Sequence, residues 1–157
     1  MIILGIDPGT AITGFSILKK EQKGIVLLDY GCIRTKKETP HAHRLNEIAD
    51  DLDSIIEKYK PNVCAIEKLF FSKNVKTAMS VSEVRGMIMQ HAIHAGMEVH
   101  EYTPNEVKST VTGDGKADKL QVQKMVKLLL KLKQIPRPDD AADAIAIALT
   151  HVQQHPA

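Results

Sequence analysis

Four acids stand where chemistry could be done. Asp7 closes the apolar run Ile2 to Ile6, and Glu67 closes a second run, Val63 to Ile66. Asp140 and Asp143 lie three apart at the start of the last apolar-periodic segment, a spacing that puts side chains on neighbouring positions of one helix face. Carboxylates without His or Cys companions are hard oxygen ligands, suited to Mg²⁺, or Mn²⁺ in its place, rather than Zn²⁺. Crowded together they repel and their pKa values rise, which a divalent cation relieves. Two such ions, about 3.5 to 4 Å apart, activate a water and stabilise the leaving oxygen in phosphodiester hydrolysis. Each acid also has a plainer account. Asp7-Pro8-Gly9 are turn formers, and on that stretch alone a turn is the better reading. The helix macrodipole favours acids at a helix start, which accounts for Asp139, read here as a helix cap, and Asp140, and less well for Asp143. The combination of two strand-end acids with a helical pair is what favours the metal site.

Such a site needs strands that end together and a helix that lies close to them. Ile2 to Ile6 reads as a strand buried on both faces, and in open α/β sheets ligands bind at the carboxyl ends of central strands. Gly14 to Lys19 and Gly24 to Ile33, joined by the polar turn Lys20 to Lys23, predict an antiparallel meander. Leu45, Ile48, Ala49, Leu52, Ile55, Ile56 and Tyr59 step by three and four, so His43 to Tyr59 is an amphipathic helix. Val63 to Ile66 follows it as the parallel strand of an α/β unit. Val75 to Ala95 is helical, with Ala78, Met79, Ser82, Arg85, Gly86, Met89 and Ile93 on a small-residue and Met-rich face that either packs in the core or forms a dimer interface. Met97 to Tyr102 alternates as a fifth strand. Thr103, Pro104 and Glu106 mark a helix start, and a short helix runs through Val111. Asp118 caps a helix to about Lys133 whose buried face is Val122, Met125, Val126, Leu129 and Leu132. The last helix runs from Asp139 or Asp140 to about Gln153, and Ala141, Ala142, Ala144 and Ala146 leave its start thin enough to lie against the sheet. The fold class is α/β, a mixed five-stranded sheet flanked by helices.

Length and composition set bounds. At 157 residues and 43% hydrophobic content the chain suits one domain, 1–157. No run approaches a membrane span and the N-terminus has no signal-like pattern, so the expected location is cytoplasmic, with no membrane partner. Cys32 and Cys64 lie in strand-like runs without Cys-x-x-Cys spacing and read as reduced core thiols. The seven histidines show no paired metal spacing and receive no role. Net charge is only +2, yet Glu106 to Arg137 holds eight basic and three acidic residues. Lys119, Lys124, Lys127, Lys131 and Lys133 meet no acid between them, which favours phosphate contact over a merely solvated face.

Order and spacing carry a family resemblance. Gly-Ile-Asp-Pro-Gly-Thr at 5–10, Gly-Cys-Ile-Arg-Thr at 31–35, Ala-Ile-Glu at 65–67 with Phe70 and Lys73-Asn74, Val-Lys at 107–108, Lys119 with Gln121-Val122-Gln123, and Asp-Ala-Ala-Asp-Ala-Ile-Ala-Ile-Ala at 140–148 resemble the RuvC family of Holliday junction resolvases, from Ile3 to about His151. The resemblance implies an RNase H-like fold and Asp7, Glu67, Asp140 and Asp143 as metal-binding catalytic acids. It also implies Phe70 as an aromatic reaching into the opened junction, Lys73 as a further DNA contact, and Lys108 and Lys119 as basic residues beside the scissile phosphate. The implied activity is Mg²⁺-dependent nicking of two opposing strands of a four-way DNA junction. Its implied partners are a second copy of the chain, with Val75 to Ala95 as candidate interface, and the RuvA and RuvB branch-migration proteins. Two rivals remain. The first loop also resembles the phosphate loop of actin-like ATPases and sugar kinases, although those use two such domains. A non-catalytic junction-binding protein would keep the acids as structure.

Overall fold

Residues Ile3, Leu4 and Ile6 are fully buried, as a strand flanked on both edges and both faces must be. The computed structural model describes residues 1–69 and 74–156. Among them the element order is β1 (Ile2–Asp7), β2 (Ile12–Glu21), β3 (Gly24–Arg34), α1 (His41–Tyr59), β4 (Val63–Glu67), α2 (Val75–His94), β5 (Glu98–Tyr102), α3 (Pro104–Thr112), α4 (Lys119–Leu129) and α5 (Asp139–Gln154). The sheet runs β3-β2-β1-β4-β5. The expected meander forms its antiparallel half, and β1, β4 and β5 are parallel.

Side-chain alternation along β1 and β4 divides the core. Ile3, Val63 and Ala65 join the cluster built with α3, α4 and α5, whereas Leu4, Ile6, Cys64 and Ile66 join the cluster built with α1 and α2. Because the strand period is two, Gly5 and Asp7 share the face of Ile3, and Glu67 shares that of Val63 and Ala65. Both strand-end acids therefore emerge on the α5 side.

Contact between α5 and the sheet is close because both surfaces are nearly bare. Ala141, Ala142, Ala144, Ala146 and Ala148 are buried, and Ser16 Oγ donates to the Ala144 carbonyl at 2.9 Å. A Cβ on Gly5 would stand 2.2 Å from the Ala144 carbonyl oxygen, and one on Gly14 would stand 2.0 Å from that of Asp140. Gly14, which in the sequence only opens a predicted strand, is a seat for the helix backbone.

Several elements differ from expectation in instructive ways. Predicted to continue to about Lys133, α4 stops at Leu129. Lys131 turns left-handed at φ 53°, its N–H bonds the Leu128 carbonyl, and the Leu132 N–H bonds that of Lys127. This is a Schellman end made without glycine, so the apolar pattern outlasts the helix. Asp139 is not the α5 cap. Pro138 holds that position without a side-chain bond, and the Asp139 carboxylate accepts from Arg137 Nη1 and from Gln123 Nε2. On α2 the core side is Ala78, Val84, Ile88 and Ala92, leaving Met79 and Ile93 exposed. Cys64 is buried as expected, but Cys32 is only half-buried. The caps at Thr103 and Asp118 form with reciprocal bonds to Glu106 and Gln121. Among the described residues no helix is long and apolar enough to cross a membrane.

Candidate active site

Parallel pairing of β1 with β4 sets Ile6 opposite Ile66, so Asp7 and Glu67 leave adjacent strand ends side by side. The close seat of α5 brings its first turns to the same place. One oxygen each of Asp7, Asp140 and Asp143 lies within 4.8 Å of the other two. Glu67 stands outside that trio but couples electrostatically to Asp7 and Asp143. The structure thus brings together all four acids singled out from spacing.

Their protonation reflects confinement. Burial, then Glu67, Asp143 and Asp140, push the Asp7 carboxyl from 3.8 to about 8, against the opposing pull of Lys119. Burial and Asp143 raise Glu67, opposed by Arg85, Lys119 and Lys108. Burial also raises Asp143, although Lys119 works against it. Like charges in a partly dry site leave a strong demand for a cation, and an all-oxygen donor set fits a hard divalent ion.

Basic side chains frame one side of the cluster. Lys119 Nζ lies 3.2 Å from Asp143 Oδ2 and 3.7 Å from Asp139 Oδ2. Burial would lower its pKa, yet Asp143, Asp139 and Asp140 outweigh that and hold it raised. Lys108 and Lys119 line a cavity of about 260 Å³ together with Glu67, Asp143, Pro104 and Val107. Phe70 and Lys73 lie outside the described residues.

Other residues with positioning roles are not evident from the sequence. Arg85 Nε donates to the Glu67 carbonyl at 2.9 Å, while its guanidinium pairs with Glu101, bracing the end of β4. An arginine on a face otherwise made of small and apolar residues was the available signal. After Asp7, the turn is laced on three sides. Thr13 Oγ1 donates to the Gly9 carbonyl at 2.6 Å, Thr10 Oγ1 to Ser80 Oγ at 3.0 Å, and Thr35 Oγ1 to the Thr10 carbonyl at 2.6 Å. Arg44 Nε donates in turn to Thr35 Oγ1 at 2.8 Å. A Cβ on Gly9 would meet the Ile12 carbonyl oxygen at 2.3 Å, so closure of the turn itself requires glycine there.

Residues 3–151 match the family model described as crossover junction endodeoxyribonuclease RuvC. The chain belongs to the RuvC family. A relative of that name from Heliobacterium modesticaldum is 50% identical over 149 residues, covering 95% of this chain and 92% of the relative. Another from Brevibacillus brevis is 50% identical over 153 residues, 98% of this chain and 92% of the relative. The solved structure of Thermus thermophilus RuvC superposes with a TM-score of 0.92 at 33% identity, over 99% of this chain and 96% of that one. T. thermophilus RuvC in complex with Holliday junction substrate gives 0.91 at 30% identity over the same shares. The fold of this RuvC-family chain is accordingly RNase H-like, and membership does not favour the phosphate-loop ATPase alternative. Divalent-metal use accompanies a RuvC-type nuclease, and the acid cluster supplies ligands for it.

Proposed function

We propose that the chain resolves four-way DNA junctions as a structure-selective endodeoxyribonuclease, hydrolysing phosphodiesters on two opposing strands. The observation that carries the reading is the convergence of Asp7, Asp140 and Asp143 with Glu67 at one end of the sheet in a chain of this family. These four carboxylates would hold two Mg²⁺ ions, with Mn²⁺ a workable substitute. When bound, the ions supply an activated water and positive charge at the leaving oxygen.

The chain's own residues do the rest. Asp7 is fixed by its strand and the laced turn, and Asp140 and Asp143 by the glycine seat of α5, so the ligands need little reorganisation. Lys119, already beside Asp143, and Lys108, which lines the same cavity as Glu67, hold phosphate oxygens and oppose developing negative charge. Roles for Phe70 as a base-stacking wedge and Lys73 as a phosphate contact rest on the family resemblance and on the physics of aromatic stacking. Lysines along α4 add salt-dependent affinity.

One acid cluster per chain makes one nick, and symmetric resolution needs two, so the working unit is a two-fold homodimer. The surface of α2 supports this. Val75, Met79, Ser82 and Gly86 follow three- and four-residue steps, Ile93 lies seven residues further on, and all five are exposed, with nothing near Gly86 to obstruct a partner helix. The reading further takes 1–157 as a single nuclease domain that acts with RuvA and RuvB.

The test is a four-way junction incubated with wild type or Asp7→Asn, in Mg²⁺ or EDTA. Wild type should cut only with metal, and the variant should bind without cutting. Equal cutting by the variant would reject the assignment, and absence of cutting by both would restore the non-catalytic alternative.

A further inference from the structure

Far from the acids, α5 carries a second group of potential ligands. His151 and His155 are one turn apart at its C-terminal end, eleven and fifteen residues beyond Asp140, or about 17 and 23 Å along the axis at 1.5 Å per residue. His100 faces them from β5. One ring nitrogen from each of the three lies within 4.8 Å of the other two, and the ring centroids are 4.5 to 5.0 Å apart. From sequence the histidines received no role, although 151 and 155 have the i, i+4 spacing that stacks side chains on one helix face.

Packing alone does not explain the arrangement. A ring buried to 2% exposure needs a reason to be imidazole rather than phenyl or aliphatic. Tyr102 Oη lies 2.8 Å from His151 Nδ1, a bond that occupies one nitrogen and leaves Nε2 for another partner. Metal-bound histidines are held this way, with the second nitrogen fixed by an oxygen outside the coordination sphere. His100 has a similar neighbour, Glu98 Oε2 at 3.4 Å from its Nε2. The three rings differ in exposure: His151 is buried and tethered, His100 is half-buried on a strand, and His155 is exposed at the helix end. Tetrahedral binding at about 2.0 to 2.1 Å per nitrogen brings ligand atoms to about 3.4 Å apart, within reach of side-chain rotation at His155 and His100.

We propose that His100, His151 and His155 form a transition-metal site for Zn²⁺, separate from the acid cluster, that clamps the end of α5 to β5. Imidazole nitrogens suit Zn²⁺ and not Mg²⁺, whereas the carboxylates of the acid cluster are the oxygen donors that Mg²⁺ takes. Three ligands leave the fourth tetrahedral position to water. The clamp holds the far end of the helix that carries Asp140 and Asp143.

The full-length protein, dialysed free of metal, is titrated with ZnCl₂ against a competing chromophoric chelator. Cleavage is not the readout. Wild type and Asp7→Asn should each bind one tight Zn²⁺ per chain. His155→Ala, an exposed position that leaves the core intact, should weaken that binding at least about 100-fold, and Tyr102→Phe about 10-fold, as loss of an outer-shell partner does. Zinc should also raise the Tm of wild type and not that of His155→Ala. Equal zinc affinity in wild type and His155→Ala, or loss of the tight site in Asp7→Asn alone, would overturn the proposal, as would no binding at all by folded wild type.

Discussion

The two ends of α5 face the same physical problem with opposite chemistry. Acids gather at its N-terminal end and imidazoles at its C-terminal end, which is where the macrodipole favours each in its charged form. Yet one member of each cluster, Asp7 and His151, is driven toward neutrality. Asp7 rises to about 8 beside Asp140 and Asp143, while burial, then His155 and His100, pull His151 from 6.5 down to about 4. A helix terminus contributes roughly 0.3–1 kcal/mol, less than one pKa unit at about 1.4 kcal/mol. Desolvation and like-charge crowding exceed that several-fold, so they decide protonation at both ends. The ends differ in what neutrality means for a metal. A hard divalent ion would release the carboxylates from their confinement, whereas neutral imidazoles are already the form in which nitrogen binds a softer metal.

The widest separation between the two ends should appear in cleavage. Asp143→Asn should lower the rate of junction cutting by about 10⁴-fold, a loss of several kcal/mol of transition-state stabilisation. His155→Ala should leave it within about two-fold, since the residue touches nothing at the acid end. Comparable losses in both, measured under single turnover, would merge the two ends into one functional unit.

The next effect is on stability against pH in EDTA. Asp7 has a folded pKa above its unfolded one, so its contribution is fully present below about 4 and lost as pH rises through about 8. Asp7→Asn should therefore stabilise the metal-free protein at pH 8 by about 4 kcal/mol and hardly at all near pH 4. His151 has the opposite sign. Its contribution is present above 6.5 and lost as pH falls through about 4. Denaturant midpoints across pH 4 to 9 for wild type, Asp7→Asn and His151→Gln would separate the limbs, and an Asp7→Asn gain that does not grow with pH would break the comparison.

A smaller loss is expected at the helix seat. Gly14→Ala places a methyl group against the Asp140 carbonyl and should cost about 3 kcal/mol by overpacking, seen as a lower unfolding midpoint together with weaker Mg²⁺ dependence of cutting. Smallest is Asp139→Ala, which removes an exposed partner of Arg137, Lys119 and Gln123 and should leave the unfolding midpoint close to that of wild type. A large loss there would make Asp139 part of the acid site rather than its border.

How far the fold and the site are legible in the sequence depends on the range of each signal. Asp7 and Glu67 were legible because a strand announces its end locally, and Asp140 with Asp143 because helical spacing is local too. The alanines of α5 suggested close packing, but Gly5 lay inside one predicted strand and Gly14 opened another, and neither marked the helix seat that they form across the sheet. Their meaning depends on a helix more than a hundred residues away. Lys131 hid the end of α4 because the left-handed turn there is made by a residue that rarely adopts it. Asp139 looked like a cap because the carboxylate position fits one, and its actual partners, Arg137 and Gln123, become visible only once α4 packs on α5. His100 could not be joined to His151 and His155 without knowing that β5 runs beside the last helix.

The alternation of β1 and β4 has a consequence for insertions and deletions. Asp7 and Glu67 face α5 because each lies an even number of residues from Ile3 and Val63. A single residue added inside either strand leaves every acid in the chain yet turns one carboxylate to the α1 and α2 side, among Leu4, Ile6 and Ile66. Two added residues restore the face but move the acid about 7 Å along the strand, past its partners. Length variation compatible with the site is therefore confined to connections such as the turn between β2 and β3, and the two strands are held to a fixed count even where their apolar residues can be exchanged.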